Sequence, residues 1–347
     1  MSNIIKLPGL IDIHVHLRDP GQTHKEDFFT GTSAALSGGV TTIFDMPNNL
    51  EPIFTSEKLM EKINIAKQKA VCDWGLYLGT DGRNTDEFEK IADKVIGLKL
   101  YLSLTTGKYV VADDKLVELV FKKWPKSKVL VVHAESDRVD LVIRLATRYQ
   151  NKLHITHVST KDGLEKIIDA KKNTKSITCD TTPHYLMLSE EYLREFKGLG
   201  IVKPPLATPK DQEYLWQNLN HIDCIASDHA PHTLDEKQSS NPPAGLPGVE
   251  TMLPLLAEEM SVENIIRLTN INPRKIFGLT QDTKTYVEID KDEGYKIKNE
   301  DLFTKCGWSP FDGWEGTGKV KRVFIRGMKV FEDGKILVNP GFGKNVV

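Results

Sequence analysis

Apolar residues along the chain follow two rhythms. Short, nearly continuous apolar runs at 10–15, 41–44, 74–78, 95–101, 129–132, 153–158, 176–179 and 224–226 have the length of strands buried on both faces. Between several of them, 57–69, 115–123, 138–149 and 161–171 repeat apolar residues at helical spacing. Strand then helix, repeated, predicts a parallel sheet, because a crossover helix is what returns the chain to start a parallel neighbour. Eight such units predict an α/β fold of the (β/α)8 TIM-like barrel type, with its chemistry at the carboxyl ends of the strands; an open doubly wound sheet is the alternative. Beyond the eighth strand, the Pro- and Gly-rich stretch 241–248 reads as a loop, and 249–260 and 262–268 read as helices. The tail 321–339 reads as a hairpin, with strands at 323–325 and 329–331 around a turn, then Asp333-Gly334 and a strand at 336–338. The expected division is a barrel over 9–280, with a small β appendage formed by 1–8 and 281–347, chiefly the C-terminal tail.

Composition narrows the partners. A chain of 347 residues, 39% hydrophobic and 27% charged, can bury a large core. Its 46 basic and 48 acidic side chains give a net charge of −2, without the basic excess that phosphate-backbone binding needs, so nucleic acid is not an expected partner. The cysteines Cys72, Cys179, Cys224 and Cys306 form no close pair, which argues against a disulfide framework and for a reducing, cytoplasmic setting. No apolar run approaches the ~20 residues of a membrane span, so no membrane association is expected.

The candidate chemistry gathers at strand ends. His14 and His16 close the first run, and side chains two apart on a strand share a face, so both imidazoles can reach one metal ion. Lys99 lies inside Gly97-Leu98-Lys99-Leu100-Tyr101, an apolar setting where an ammonium is costly to bury; an ion pair is the plain reading. His133 ends the fifth run and His157 the sixth, and either alone reads as a hydrogen-bonded core histidine. Asp228 follows the eighth in Ala226-Ser227-Asp228-His229-Ala230-Pro231-His232, where it supplies the carboxylate of a metal site or a general base. Scattered in sequence yet all at strand ends, these residues together favour a barrel with a metal centre.

Four stretches resemble the dihydroorotase motifs of the amidohydrolase superfamily: Pro8-Gly9-Leu10-Ile11-Asp12-Ile13-His14-Val15-His16-Leu17-Arg18, Met46-Pro47-Asn48, Gly97 to Tyr101, and Ser227 to His232. The likeness covers nearly the whole chain and is strongest to the dihydroorotase domain of animal multifunctional pyrimidine-synthesis proteins. Ile222-Asp223-Cys224, Ser227 to Glu236, Pro247-Gly248-Val249-Glu250-Thr251-Met252-Leu253-Pro254-Leu255-Leu256 and the tail 320–343 carry it. The resemblance implies a distorted barrel holding two Zn2+ per subunit, bridged by Lys99 carboxylated on Nζ. An ammonium repels cations, whereas a carbamate is anionic and offers one oxygen to each ion. By the same transfer, His14, His16 and Asp228 would hold one ion and His133 and His157 the other, with Lys99 shared. A bridging hydroxide would be the nucleophile, and Asp228 the general acid and base. The activity implied is that of a zinc-dependent cyclic amidohydrolase, interconverting N-carbamoyl-L-aspartate and L-dihydroorotate in de novo pyrimidine (UMP) synthesis.

A substrate carboxylate calls for a fixed cation. Arg18 offers a bidentate contact, with Asn48 and His232 as further donors, and backbone around Ala244 to complete the ring pocket. A surface ion pair for Arg18 and a turn role for Asn48 are the rival readings. Ser103 to Lys108 resembles the family's mobile catalytic loop; Thr105 is the first choice for its substrate-contacting threonine and Thr106 the second, against ordinary loop threonines. The chain also departs from the animal pattern. Thr156 and Asp180 stand where the animal domain has the cysteine and glutamate of a further metal position, and Lys203 stands where it has an arginine. His184 either supports the site or is structural, while His24, His154, His221 and His229 read as structural. Only Met1 to Pro8 precede the first barrel strand, so the appendage is either built mainly from 321–347 or completed by a partner. A homodimer, or association with aspartate transcarbamoylase, is the expected assembly. The rival functions are an allantoinase or hydantoinase, which needs no carboxylate clamp, and a scaffold relative, which loses metal ligands.

Overall fold

The computed structural model describes residues 3–103 and 109–347. Its larger sheet has eight strands paired in chain order: β2 (Leu10–Val15), β3 (Val40–Asp45), β4 (Asp73–Gly79), β5 (Gly97–Tyr101), β6 (Val129–His133), β7 (Lys152–Ile155), β8 (Ile177–Thr181) and β9 (Cys224–Ile225). Every pairing is parallel. This is the expected barrel. Helices Ser56–Lys69, Asp114–Lys123, Asp137–Tyr149 and Lys161–Lys171 fall where the apolar spacing puts them. Thr55, Asp113 and Thr160 cap three of them by accepting from first-turn amides, and lysines close their last turns, where the helix dipole favours a cation.

The barrel interior divides along its axis. Towards the amino ends of the strands it is hydrocarbon: Ile11, Ile13, Phe44, Tyr77, Val129 and Val131 form one buried cluster. Phe277, from the helix Asn272–Phe277, wedges into it, with ring centroids 5.0 Å from Phe44 and 6.3 Å from Tyr77. The ionisable side chains occupy the carboxyl end. In β6 plain alternation achieves this, since Val129 and Val131 point inward and His133 follows on the same face. In β2 it does not, because Ile11 and Ile13 point inward and alternation would send His14 and His16 outward. The pairing of β2 with β3 is irregular between Asp12 and Val15, and past that point Val15 joins the outer core while both histidines line the interior. Tyr77 Oη donates to Ile13 O across the barrel at 3.0 Å.

Between β9 and β2 regular pairing gives way to a seam. Val15 and His229 form an isolated parallel bridge, and His16 N donates to His229 O at 2.7 Å. The buried Asp12 carboxylate completes the seam, accepting from His14 N at 3.1 Å, Ser227 N at 3.1 Å and the Ser227 hydroxyl.

The second sheet is antiparallel, in the order β1 (Ile4–Pro8), β10 (Tyr286–Lys296), β11 (Glu315–Ile325), β12 (Met328–Glu332) and β13 (Lys335–Ile336). The tail hairpin is where the sequence places it, but β11 begins at Glu315, and β10, between β1 and β11, was not expected. Its charged run from Asp290 to Glu293 masks the alternation of buried Val287 and Ile289 with Glu288. β1 and β10 complete the appendage within the chain. The helix expected over 249–260 starts only at Met252, and the next, Val262–Ile266, continues into a π-turn, Arg267–Ile271.

Barrel and appendage meet at Gly39, whose φ of +78° suits glycine. A Cβ there would stand 2.7 Å from Leu253 Cδ2 and 3.2 Å from Val287 Cγ2. Leu253 is fully buried in that junction. Leu253→Ala is therefore expected to cost about 2–5 kcal/mol, read as a lower urea midpoint at unchanged slope; an unchanged midpoint would show that the two sheets do not stabilise each other here.

Candidate active site

The seam brings the end of β2 against the loop after β9. Asp228 Oδ1 lies 3.2 Å from His14 Nε2 and 3.1 Å from His16 Nε2, and one ligand atom from each of the three lies within 4.8 Å of the others. His16 Nδ1 is 2.6 Å from Asn48 Oδ1, at the carboxyl end of β3. An amide oxygen only accepts, so the His16 proton sits on Nδ1 and its Nε2 lone pair is free. Beside this trio stands a second pair. His133 Nδ1 and His157 Nε2 are 3.0 Å apart, and the His14 and His157 ring centroids are 5.2 Å apart. Burial holds all four imidazoles below the ordinary histidine range, and the nearby Lys99 adds to it, so each is neutral with a lone pair to give.

Lys99 is fully buried and donates to Thr156 Oγ1 at 3.0 Å. Burial lowers its pKa, opposed by Asp180 and Asp228; burial raises that of Asp228, opposed chiefly by Lys99. Asp180 accepts from His157 N at 2.6 Å and lies 2.8 Å from His154 Nε2. His154 thus braces Asp180 beneath the site. Burial takes His184 down to about 3, and its Nε2 has no hydrogen-bond partner among the described residues.

Three site residues adopt a backbone that L-residues rarely take: φ is +62° at Arg18, +42° at His157 and +47° at Asp228. Such conformations cost about 1–3 kcal/mol each and persist where the surroundings over-determine them. At His157 the hydrogen bond to Asp180 does this, and at Asp228 the flanking seam.

The residues expected to face a substrate gather around the same cavity. Arg18, Asn48, Lys203 and Ala244 line the cavity above the histidines, and the His232 ring touches Arg18 and Ala244. The space left in the cavity is about 20 Å3, room for a water or an ion, with walls at Val202-Lys203 and Ala244-Gly245. Thr105 and Thr106 lie outside the described residues. Sequence reasoning missed Tyr101, which lines the cavity with a buried hydroxyl lacking a partner among the described residues. The signal was there: Tyr101 follows Lys99 by two positions on one strand. It also missed Glu135, 3.2 Å from His133 Nε2, and Lys25, 3.1 Å from His232 Nδ1.

An eight-stranded parallel barrel with neutral histidines, a lysine and an aspartate at its carboxyl end defines a class, and the chain belongs to it: the amidohydrolase family, whose model matches residues 5–330. Within that family it is 35% identical over 366 residues to the dihydroorotase of Pyrococcus horikoshii, covering 97% of this chain and 83% of that one. It is 44% identical over 351 residues to the multifunctional protein CAD of Squalus acanthias; the match covers 99% of this chain but only 16% of that protein's length. Among solved structures, the L-hydantoinase from Arthrobacter aurescens superposes with a TM-score of 0.94 at 25% identity, covering 99% of this chain and 88% of that one. The inactive dihydroorotase-like domain of a Chaetomium thermophilum CAD-like multifunctional protein gives 0.86 at 25% identity, covering 99% of each chain. Among the described residues no helix is long and apolar enough to cross a membrane.

Buried neutral imidazoles converging on a carboxylate fit a divalent cation. Added Zn2+ at about 100 times its Kd is expected to stabilise the wild type by about 2.7 kcal/mol per site, seen as a rise in Tm that a chelator reverses. His14→Ala and Asp228→Ala should lose much of that rise. Equal shifts in wild type and variants would place the ion elsewhere.

Proposed function

We propose that this protein is a dihydroorotase that interconverts N-carbamoyl-L-aspartate and L-dihydroorotate with two zinc ions. The observation that carries the substrate is Arg18. Its guanidinium is buried at the rim of the histidine cluster, bonds Pro231 O through Nε at 3.1 Å, and makes no ion pair among the described residues. A buried cation without a carboxylate is costly, and an anionic ring substrate would remove the cost. Hydantoin-type rings offer no such anion. A scaffold relative is disfavoured because each expected ligand position holds a ligand-type side chain.

His14, His16 and Asp228 would hold one ion. The second position has two imidazoles, His133 and His157, and needs an anionic third ligand that an ammonium cannot be. Lys99 is the residue at hand, and the lowering of its pKa by burial enlarges the share of neutral amine. By adding to carbon dioxide, with an N–C bond formed and a proton released, that amine would become an anionic carbamate able to hold the ions together with the imidazoles. When bound, the ions supply a Lewis acid for the ring carbonyl and an activated water. The chain's own groups do the rest. Asp228, held near the ordinary pH range by burial, takes the proton from the attacking water and returns it to the leaving ring nitrogen. Arg18, His232 and backbone at Ala244 hold the ring. Asn48 has its amide oxygen committed to His16, which leaves Nδ2 to face the substrate, and Lys203 adds a point charge at the wall. Thr105, with Thr106 as the alternative, is our choice for a loop contact that shields the ring. A homodimer or an assembly with aspartate transcarbamoylase in the cytoplasm fits this reading.

Purified protein should turn over both compounds when supplied with zinc and bicarbonate, and Lys99→Ala should abolish turnover. Arg18→Met should raise KM by about tenfold to a hundredfold, the worth of a charged hydrogen bond. Folded, metal-loaded protein without turnover would point to another ring or to a scaffold. Cyclisation joins one proton and the dianion to give the monoanion and water, so the equilibrium ratio should move towards the ring about tenfold per unit fall in pH. A product ratio independent of pH would exclude this reaction.

A further inference from the structure

We infer that Lys25 is a positioning residue that fixes the tautomer of His232, so that His232 and Arg18 present N–H groups together to a substrate carboxylate; this rests on the dihydroorotase reading above. Lys25 is buried in the loop between β2 and the helix Phe28–Ser37. The loop folds back on itself through Gln22 N to Arg18 O and Lys25 N to Gln22 O, both at 2.9 Å, which brings Arg18 and Lys25 to the same imidazole.

Lys25 Nζ lies 3.1 Å from His232 Nδ1 and 2.9 Å from Glu236 Oε1. An ammonium has three donors and no acceptor, so Nδ1 must accept. Glu236 approaches that nitrogen only to 3.7 Å, too far for a hydrogen bond, so its carboxylate serves the ammonium and not the ring. Burial, with the cations Arg18, Lys25 and Lys237 around it, keeps the ring neutral. Its single proton therefore sits on Nε2, which donates to Ala244 O at 3.2 Å.

The same Nε2 stands 3.2 Å from Arg18 Nη2, and a guanidinium too has only donors. Two N–H edges meet there with no acceptor between them. A carboxylate oxygen placed there would accept from Arg18 and share the Nε2–H that otherwise rests on Ala244 O. In the other tautomer Nε2 would accept from Arg18 directly, the pair would close on itself, and an arriving anion would find no imidazole donor. Trp308 Nε1, donating to His232 O at 2.7 Å, holds the residue in place whichever tautomer is present; Arg18 at Nε2 favours the Nδ1–H form, Ala244 O favours the Nε2–H form, and Lys25 at Nδ1 decides between them.

Histidine 15N NMR on the full zinc-loaded chain reads the tautomer directly, with the His232 signal assigned by its loss in His232→Gln. The wild type should show the proton on Nε2. Lys25→Met should move the population towards Nδ1–H and raise KM for dihydroorotate by about tenfold to a hundredfold, with the larger share of the loss in KM and not kcat. In the His232→Gln background, Lys25→Met should add little further, since both act through one ring. A wild-type ring protonated on Nδ1, a Lys25→Met ring unchanged from wild type, or full additivity of the two substitutions would each overturn the assignment. The NMR measurement needs no turnover: an Nε2–H ring in a protein that ignores dihydroorotate supports the tautomer and overturns the substrate.

Discussion

The site exists because the barrel closes at a seam that its backbone ladder does not complete. β9 is only two residues long, and the regular order of the sheet ends on it without returning to β2. Asp12 adds to the single Val15–His229 bridge and the His16 N bond to His229 O that join the two sides. Burial raises its carboxyl to about 6, so near neutral pH it is largely an anion in a dry place, and the amides of His14 and Ser227 with the Ser227 hydroxyl pay for that charge. One of these donors belongs to the residue whose ring faces Asp228, and the other two belong to the residue just before Asp228. The tie that shuts the barrel therefore sets the distance between the first two histidines and the aspartate.

Inside the closed barrel, charge is arranged by elimination. The amino end is filled with hydrocarbon, and burial drives the four imidazoles, Lys99 and Asp228 towards their neutral forms. Four neutral imidazoles can then crowd within contact of one another without repulsion, as the 4.5 Å separation of the His133 and His157 rings requires. Lys99 and Asp228 are each pushed against their charged states by burial and held to them by each other. Each oxygen of Asp180 is engaged, one by His157 N and the other by His154, so it steadies the frame without lining the cavity.

Much of this frame is legible in the chain, because a parallel strand buried on both faces writes itself as an apolar run, and an ionisable residue ending such a run has nowhere to go but the barrel mouth. That rule covers His133, which ends its run, and Asp228, just beyond its own, whereas Lys99 lies inside its run and takes its role from the resemblance. His14 and His16 obey it only through the irregularity after Asp12, which no periodicity announces: a strict alternation from Ile11 and Ile13 would turn both outward. β10 escaped because its second half is charged and faces water, so half a strand's pattern was all there was to read. Lys25 escaped for a different reason. Its partner His232 lies 207 residues away, and nothing local marks a lysine that will be buried against an imidazole.

The same separation of pattern from placement distinguishes catalysis from specificity here. The histidines and Lys99 are braced from within, by neighbouring strands and by Asp180, and that frame is compatible with a fold shared with a hydantoinase. The residues that would choose the ring are braced from outside. Glu26 accepts from the Thr304 hydroxyl and from Lys305 N while lying 3.2 Å from His229 Nε2; Glu250 accepts from Phe303 N and Thr304 N; and Trp308 holds His232 O. Residues 302–308, between the strands β10 and β11 of the appendage, thus buttress the loop that carries Asp228 and His232. Those contacts reach His229, the neighbour of Asp228, as well as His232, so the segment between β10 and β11 supports both the aspartate and the Arg18–His232 edge of the cavity.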